Sequence, residues 1–358
     1  MKNSKKKLPT EKQANSLKLN EEFRAANPNG LDLQTLLSYD FIIVAFSGGK
    51  DSLATYLWLL ETGVPAEKIE LWHHDIDGRE GSDLMDWECT RSYCQRFADA
   101  FGSPIYFSWR MNGFEGELMK KDAQAAPVCW EEPTAEGIKV VVSESSKSSF
   151  STRRKFPAKV ADLRTRWCSS SVKIEVGNRA LNNQKRFLGK KTLFLTGERA
   201  QESTNRSYYR AFEKHACHSD KRVKRNIDAL RPVLDWKEEA VWAIIERFRV
   251  NPHPAYKLGW GRVSCATCIF GNADQWASIM KLNPAKTQRL VDLEVEFNHT
   301  IDNKFSIVEM AEKGTAYDWS QLDAEAALDK NYNQPIILPE GQTWELPKGA
   351  FGDSCGPV

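Results

Sequence analysis

Short apolar runs alternate with segments of helical spacing along the first two hundred residues. Phe41-Ile-Ile-Val-Ala-Phe46 is bounded by Gly48-Gly49 and reads as a buried parallel strand. Leu53, Tyr56, Leu57 and Leu60 then recur at helical spacing up to Gly63, a C-terminal stop. Ile69–Asp75 reads as the next strand, residues Leu84–Phe101 as a helix, and Ile105–Trp109 as a third strand. After a helix over Ser171–Phe187 the sheet resumes at Lys191–Thr196. This β-α-β-α-β order predicts an α/β fold with a doubly wound parallel sheet, right-handed crossovers and ligands beyond the carboxyl ends of the strands.

The pattern weakens between about 110 and 165, where Pro127, Pro133, Gly137, a Ser-rich tract and Arg153-Arg154-Lys155 predict an insertion with one hairpin at the mouth of the site. Farther on, Glu238–Val250, Asp274–Leu282 and Pro284–Thr300 have helical patterns, followed by a Pro- and Gly-punctuated tail from about 331. The expected organisation is a basic flexible arm over 1–28, a nucleotide-binding α/β domain over 29–235, and a mainly helical C-terminal region over 236–358.

With 41% hydrophobic and 27% charged residues the chain has an ordinary globular balance, so a sizeable core is expected. No apolar run reaches the roughly 18 residues that cross a bilayer, and the Lys-rich start carries no secretory signal, so a cytoplasmic protein without a membrane partner is expected. A net charge of +2 argues against a chain built wholly around nucleic acid, although the basic residues cluster locally. Eight cysteines without an export signal favour metal or redox chemistry over disulfides for any that come together.

The chemistry concentrates at Ser47-Gly48-Gly49-Lys50-Asp51-Ser52, between the first strand and its helix. Phosphate binding needs convergent backbone N–H groups, glycines that admit the anion, and a helix N-terminus behind them, and this stretch supplies all three. Its order differs from the Walker A loop, which disfavours γ-phosphate chemistry. It resembles the PP-loop of the N-type ATP pyrophosphatases and of the phosphoadenosine phosphosulfate (PAPS) reductases, of the adenine nucleotide alpha hydrolase-like fold. The resemblance implies that Ser47, Gly48, Gly49, Lys50 and Ser52 cradle the pyrophosphate, with Asp51 orienting magnesium or the loop. A second stretch, from Thr196 through Gly197, Glu198, Arg199, Glu202 and Ser203 to Arg206, resembles the family's Gly-x-Arg-x-x-Glu-Ser segment with a trailing Arg. It places Arg199 and Arg206 to meet phosphate oxygens bidentately. Asp75, in His73-His74-Asp75, lies where the family has a pair beside the nucleotide, and contact with adenine or ribose is implied for it.

Arg166-Trp167-Cys168, followed by Lys173, resembles the segment where the reductases carry Cys or Cys-Cys, and Cys265 and Cys268 form a later Cys-x-x-Cys. The resemblance implies a [4Fe-4S] cluster on Cys168, Cys265 and Cys268, with Trp167 in place of one thiolate and Cys129 as a possible fourth ligand. Zn²⁺ is the alternative in the same site, and free thiols are the plain reading for Cys89, Cys94 and Cys217. Cys355 near the terminus invites comparison with the family's C-terminal nucleophile.

Two basic stretches, Lys147–Arg166 and Arg210–Arg231, flank the site, and Tyr208, Tyr209 and Trp260 interleave with these charges as stacking platforms for bases. Among the family's enzymes the pattern looks most like the ATP pyrophosphatases of DNA phosphorothioation systems. That resemblance implies adenylation of a substrate from ATP and Mg²⁺, DNA as acceptor, and a cysteine desulfurase with other sulfur-modification proteins as partners. The alternatives are a PAPS or adenylylsulfate reductase and a non-enzymatic, ATP-sensing nucleic-acid adaptor.

Overall fold

A computed structural model of the chain describes residues 31–144, 148–160, 162, 164–221 and 223–352. The expected basic arm over 1–28 and Cys355 lie outside the described residues, as do Lys147 and Arg222 of the basic stretches.

After a short helix α1 (Leu33–Leu37) the chain alternates as its pattern predicts: β1 (Phe41–Ala45), α2 (Lys50–Thr62), β2 (Ile69–Asp75), α3 (Thr90–Phe101), β3 (Ile105–Arg110) and α4 (Gly113–Met119). The insertion contributes the hairpin β4 (Val128–Thr134) and β5 (Gly137–Val142). A helical turn (Trp167–Ser169) and a π-helical stretch (Ser170–Ile174) then lead into α5 (Glu175–Asn183). The strands β6 (Lys191–Leu195), β7 (Phe212–Lys214) and β8 (Asn226–Leu230) complete a sheet of eight, in the order β5-β4-β3-β2-β1-β6-β8-β7. Its centre, β3-β2-β1-β6-β8, is parallel, and the hairpin and β7 add antiparallel edges. The chain leaves β1 toward β2 on one side and returns to β6 on the other. This switch point puts a crevice beyond the C-terminal end of β1, where Ser47–Ser52 sits.

Strand β1 shows why it is central. Successive side chains point to opposite faces, so Ile42 and Val44 join one buried cluster and Ile43 the other. The larger cluster runs from Leu36 to Ile336 and takes in side chains of α6 (Glu238–Arg247), α7 (Pro254–Lys257), α8 (Ala273–Leu282), α9 (Pro284–Phe297), α10 (Ile307–Glu312) and α11 (Gln321–Leu328). The C-terminal helices therefore share the core of the α/β sheet.

Several expected boundaries move, and the helices from Glu238 and Pro284 end at Arg247 and Phe297 rather than at Val250 and Thr300. Helix α3 starts at Thr90 rather than Leu84, because the Asp77 carboxylate accepts the amides of Met85 (2.9 Å) and Asp86 (2.7 Å) and fixes 84–89 as a loop. The helix expected to reach Phe187 ends at Asn183, and Lys185–Phe187 forms a 3₁₀ turn.

The fully buried His253 links these layers. Its Nδ1 accepts the Ala255 amide (3.2 Å), and its Nε2 faces Thr90 Oγ1 (3.3 Å) and Cys89 Sγ (3.4 Å). Burial, assisted by His73, lowers its pKa from 6.5 to about 3. The native state thus binds fewer protons than the unfolded chain in that window, so stability is present above pH 6.5 and drains away as pH falls toward 3. The limiting slope from this one group is about 1.4 kcal/mol per pH unit. Urea midpoints at pH 7.5 and 5.5 are expected to differ less for His253→Gln than for the parent chain, and equal differences would count against this account.

Candidate nucleotide and thiol site

The loop after β1 is built by its own small side chains. Gly48 adopts φ +76°, a left-handed conformation that costs a side-chain-bearing residue strain, and Gly49 caps α2. Ser52 Oγ accepts the Ser47 amide (3.3 Å) and donates to the Gly49 carbonyl (2.8 Å), while Ser47 Oγ accepts the Gly49 amide (3.3 Å). The next amide, that of Lys50, is taken by the hydroxyl of Tyr256 (2.8 Å), which also accepts from Val263 (3.4 Å). Burial and the neighbouring Asp51 raise the Tyr256 pKa, so the phenol stays protonated.

Lys50 and Arg199 point into the protein. Lys50 Nζ donates to the Gly261 carbonyl (2.8 Å) and lies 3.5 Å from Glu238 and 4.0 Å from Asp51. Arg199 Nε donates to Asp51 (2.6 Å), and its guanidinium also reaches Glu238 (3.8 Å) and Gln201 (2.8 Å). Lys50, Glu238, Arg199 and Asp51 therefore form one alternating charge ladder behind the loop. Arg206 is paired with Glu202, whose carboxylate also accepts the Arg199 amide (2.9 Å). The two motifs touch backbone to backbone at Gly197, where a Cβ would meet the Asp51 carbonyl oxygen at 2.6 Å.

A cavity of about 430 Å³ opens between the motifs. Ser47, Gly49, Asp51, Ser52, Gly197, Glu202 and Arg206 line it, joined by Lys173, Arg231, Arg262 and Tyr256. Leu181, Phe194 and Ala229 supply an apolar part, so the cavity offers a flat ring one environment and charged groups another. Gly48, Lys50, Arg199 and Ser203 stand behind or beside this lining rather than in it. Asp75 is also absent from the lining. It is buried at the end of β2, bound to Arg79 (2.9 Å) and near Arg91 (3.8 Å) and His73 (3.8 Å), and burial raises its pKa.

The three cysteines singled out from sequence do converge. Cys168, Cys265 and Cys268 line an adjoining cavity of about 110 Å³ with Arg166, Lys173, Arg206 and Arg262. Burial raises the thiols of Cys168 and Cys265, with the Lys173 charge opposing it. Cys129 is elsewhere, on β4 opposite Trp109, so the structure does not bring it to this group. Trp167, which stands in place of one thiolate of the family pattern, is a core pillar stacked on Phe114 (4.8 Å) beneath the Arg153 guanidinium (4.5 Å). Among the described residues no group of three or more Cys, His, Asp or Glu is arranged to hold a metal, and three thiols do not meet the four-thiolate demand of a [4Fe-4S] centre or a Cys₄ zinc site.

Lys173 is the hinge between the cavities. It sits on the π-helical stretch, an insertion that often re-aims a side chain at functional sites, and lines both cavities as well as a third of about 130 Å³ beside His73, His74 and Cys265. Tyr256, Glu238 and Arg262 are site residues the sequence does not mark, since Tyr256 and Glu238 reach Lys50, and Arg262 the cavity, from beyond residue 237 through tertiary contact alone. Trp260, expected as a stacking platform, is buried edge-on against Trp87 (4.9 Å) and Tyr317 (5.3 Å), so it presents no face for a base. No helix among the described residues is long and apolar enough to cross a membrane.

Comparison with known proteins gives partial matches. Residues 132–270 match the phosphoadenosine phosphosulfate reductase domain. The chain is 26% identical over 263 residues to the uncharacterized 37.8 kDa protein in the gpa 5′ region of Escherichia phage 186, covering 70% of this chain and 74% of that protein. It is 32% identical over 90 residues to the adenosine 5′-phosphosulfate reductase of Allochromatium vinosum, covering 25% of this chain and 32% of the reductase. The match thus spans about a third of that reductase. The crystal structure of the PAPS reductase from Candida auris, in its phosphate complex, aligns with a TM-score of 0.35 and 16% identity over 72% of this chain and 95% of that one. The sequence matches support a relationship to the PP-loop and PAPS reductase family.

Proposed function

We propose that the chain is an ATP pyrophosphatase that adenylates an acceptor for sulfur incorporation, in the setting of DNA phosphorothioate modification. The observation that carries this reading is the cavity of about 430 Å³ walled on one side by the glycine loop and on the other by the Gly197–Arg206 segment. An acceptor oxygen attacks the α-phosphorus, the bond to the α,β-bridging oxygen breaks, and pyrophosphate leaves with the electron pair. The loop holds the departing diphosphate, Arg206 borders it, and the apolar patch at Leu181 and Phe194 takes the adenine.

The cations of the two motifs are balanced by carboxylates: Lys50 and Arg199 by Glu238 and Asp51, Arg206 by Glu202. A triphosphate competes for the same cations. Magnesium, carried in on the phosphates, suits Asp51, the carboxylate that borders the cavity beside the loop, because Mg²⁺ commonly binds through one carboxylate plus substrate oxygens. Mg²⁺ held there would share the carboxylate that pairs with Arg199 and Lys50, and both cations would offset phosphate charge from behind the loop. The thiol cavity shares Lys173, Arg206 and Arg262 with the nucleotide cavity, which brings sulfur chemistry within reach of the adenylated position. A cysteine desulfurase would supply the sulfur.

Incubation with α-labelled ATP and Mg²⁺ tests the reading. AMP and pyrophosphate are the expected products. ADP would contradict it, nucleotide binding without turnover would favour the adaptor, and reduction of a bound adenylylsulfate without ATP cleavage would favour the reductase.

A further inference from the structure

The two basic stretches that flank the site are not equivalent. In the first, Arg153 pairs with Glu117 (3.0 Å), Arg154 with Glu296 (2.5 Å), Lys159 with Asp302 (2.7 Å) and Arg164 with Asp162 (2.8 Å). Those charges mostly fasten the insertion to the rest of the protein. In the second, Arg210, Lys221 and Lys224 are exposed and have no carboxylate partner among the described residues. Only Glu213, Asp220 and Asp228 oppose them in sequence, and Glu213 and Asp228 are taken by Arg231 (2.8 Å) and Lys214 (2.7 Å).

The same stretch holds aromatic rings in water. Tyr208 is 79% exposed and Tyr209 42%, with Phe212 at the outer edge of the sheet 36% exposed. Arg231 connects them to the site, since its guanidinium lies 5.0 Å over the Tyr209 ring while its side chain lines the nucleotide cavity. Exposed rings interleaved with unneutralised cations suit one ligand class above others. Unpaired bases offer flat faces to stack, and the strand that carries them offers regularly spaced phosphates. A duplex keeps its bases closed, and the patch, a 3₁₀ turn (Arg206–Tyr208) followed by a three-residue strand, has no amphipathic helix to lie in a membrane surface.

We propose that this rim, from Tyr208 to Lys224, binds a single-stranded nucleic acid and leads it to the nucleotide cavity. The inference deepens the adenylation reading by naming the form of the acceptor, and it rests on that reading for its purpose though not for its geometry.

Fluorescence anisotropy on the full chain, with labelled single-stranded DNA, single-stranded RNA, a DNA duplex of the same composition, and heparin as a base-free polyanion, tests it. Single strands are expected to bind more tightly than the duplex, and the DNA and RNA arms identify which strand is the source. Tyr208→Ala with Tyr209→Ala is expected to weaken single-strand binding at least about tenfold and to leave heparin unchanged. Lys221→Ala with Lys224→Ala is expected to weaken every polyanion and to reduce the single-strand salt slope by about 1.4. Equal binding of duplex and single strand, an unaltered tyrosine double variant, or no binding at all would overturn the proposal. Pyrophosphate release measured on the same preparation separates the two readings. Release without strand binding sinks the rim alone, and strand binding without release sinks adenylation while supporting the rim.

Discussion

Gly197→Ala is expected to lower pyrophosphate release at least about a hundredfold while the chain stays folded. A Cβ at this position would lie 2.6 Å from the Asp51 carbonyl oxygen, 2.7 Å from its carbonyl carbon and 3.0 Å from the Ser52 amide nitrogen. All three are backbone atoms in the first turn of α2, which is anchored in the larger core cluster through Leu53, Ala54, Tyr56 and Leu57. They cannot swing aside as a side chain does. The added methyl therefore pushes the whole Gly197–Arg206 segment away from the loop. Displacements near 1 Å around reacting groups commonly cost about two orders of magnitude in rate. The 2.6 Å contact between Arg199 and Asp51 crosses this seam and would stretch with it. Steady-state pyrophosphate release at saturating ATP, set beside the urea midpoint, checks the claim. A turnover number close to that of the parent chain would show that the seam has slack and that the two motifs do not act as one site.

The seam also shows what the sequence could and could not disclose. Each wall follows a buried apolar run, with paired glycines and a helix after β1 and a single glycine with two arginines after β6, and this local order set Ser47–Ser52 and Thr196–Arg206 at the ends of adjacent parallel strands. The convergence of Cys168 with Cys265 and Cys268 was implied by the resemblance to the reductases' cysteine segments, since spacing alone does not link positions a hundred residues apart. Long-range contacts were not. Nothing near Tyr256 marks it as the partner of an amide 206 residues away in sequence, and Glu238 reads as an ordinary acidic first turn of a helix. Trp260 misleads for a related reason, since tryptophan suits both a stacking platform and a core and composition does not choose between them. The run of cations over 153–166 looks like free charge until the folded chain brings Glu117, Glu296 and Asp302 to meet it. The start of α3 moved because one carboxylate, Asp77, outcompeted the helix for two amides, a choice that propensity along 84–89 does not record.

Arg199→Ala is expected to destabilise the fold by about 2–3 kcal/mol, in addition to its effect on turnover. Removing one partner of a buried ion pair costs roughly 3–5 kcal/mol because the remaining charge is stranded, and the slight exposure of Asp51 and Glu238 trims that figure. Glu238 keeps Lys50 at 3.5 Å, whereas Asp51 is left with Lys50 only at 4.0 Å, so Asp51 suffers most. Arg199→Lys restores a positive charge but lacks the planar fork that reaches Asp51, Glu238 and Gln201 together, so it is expected to recover no more than about half of the loss. A double-mutant cycle with Asp51→Ala is expected to give a coupling of about 1–3 kcal/mol, since contacting groups in one network are not additive. If urea midpoints of Arg199→Ala and the parent chain coincided, or the cycle closed near zero, the ladder behind the loop would be decoration. Arg199 would then be free to serve phosphate independently of Asp51.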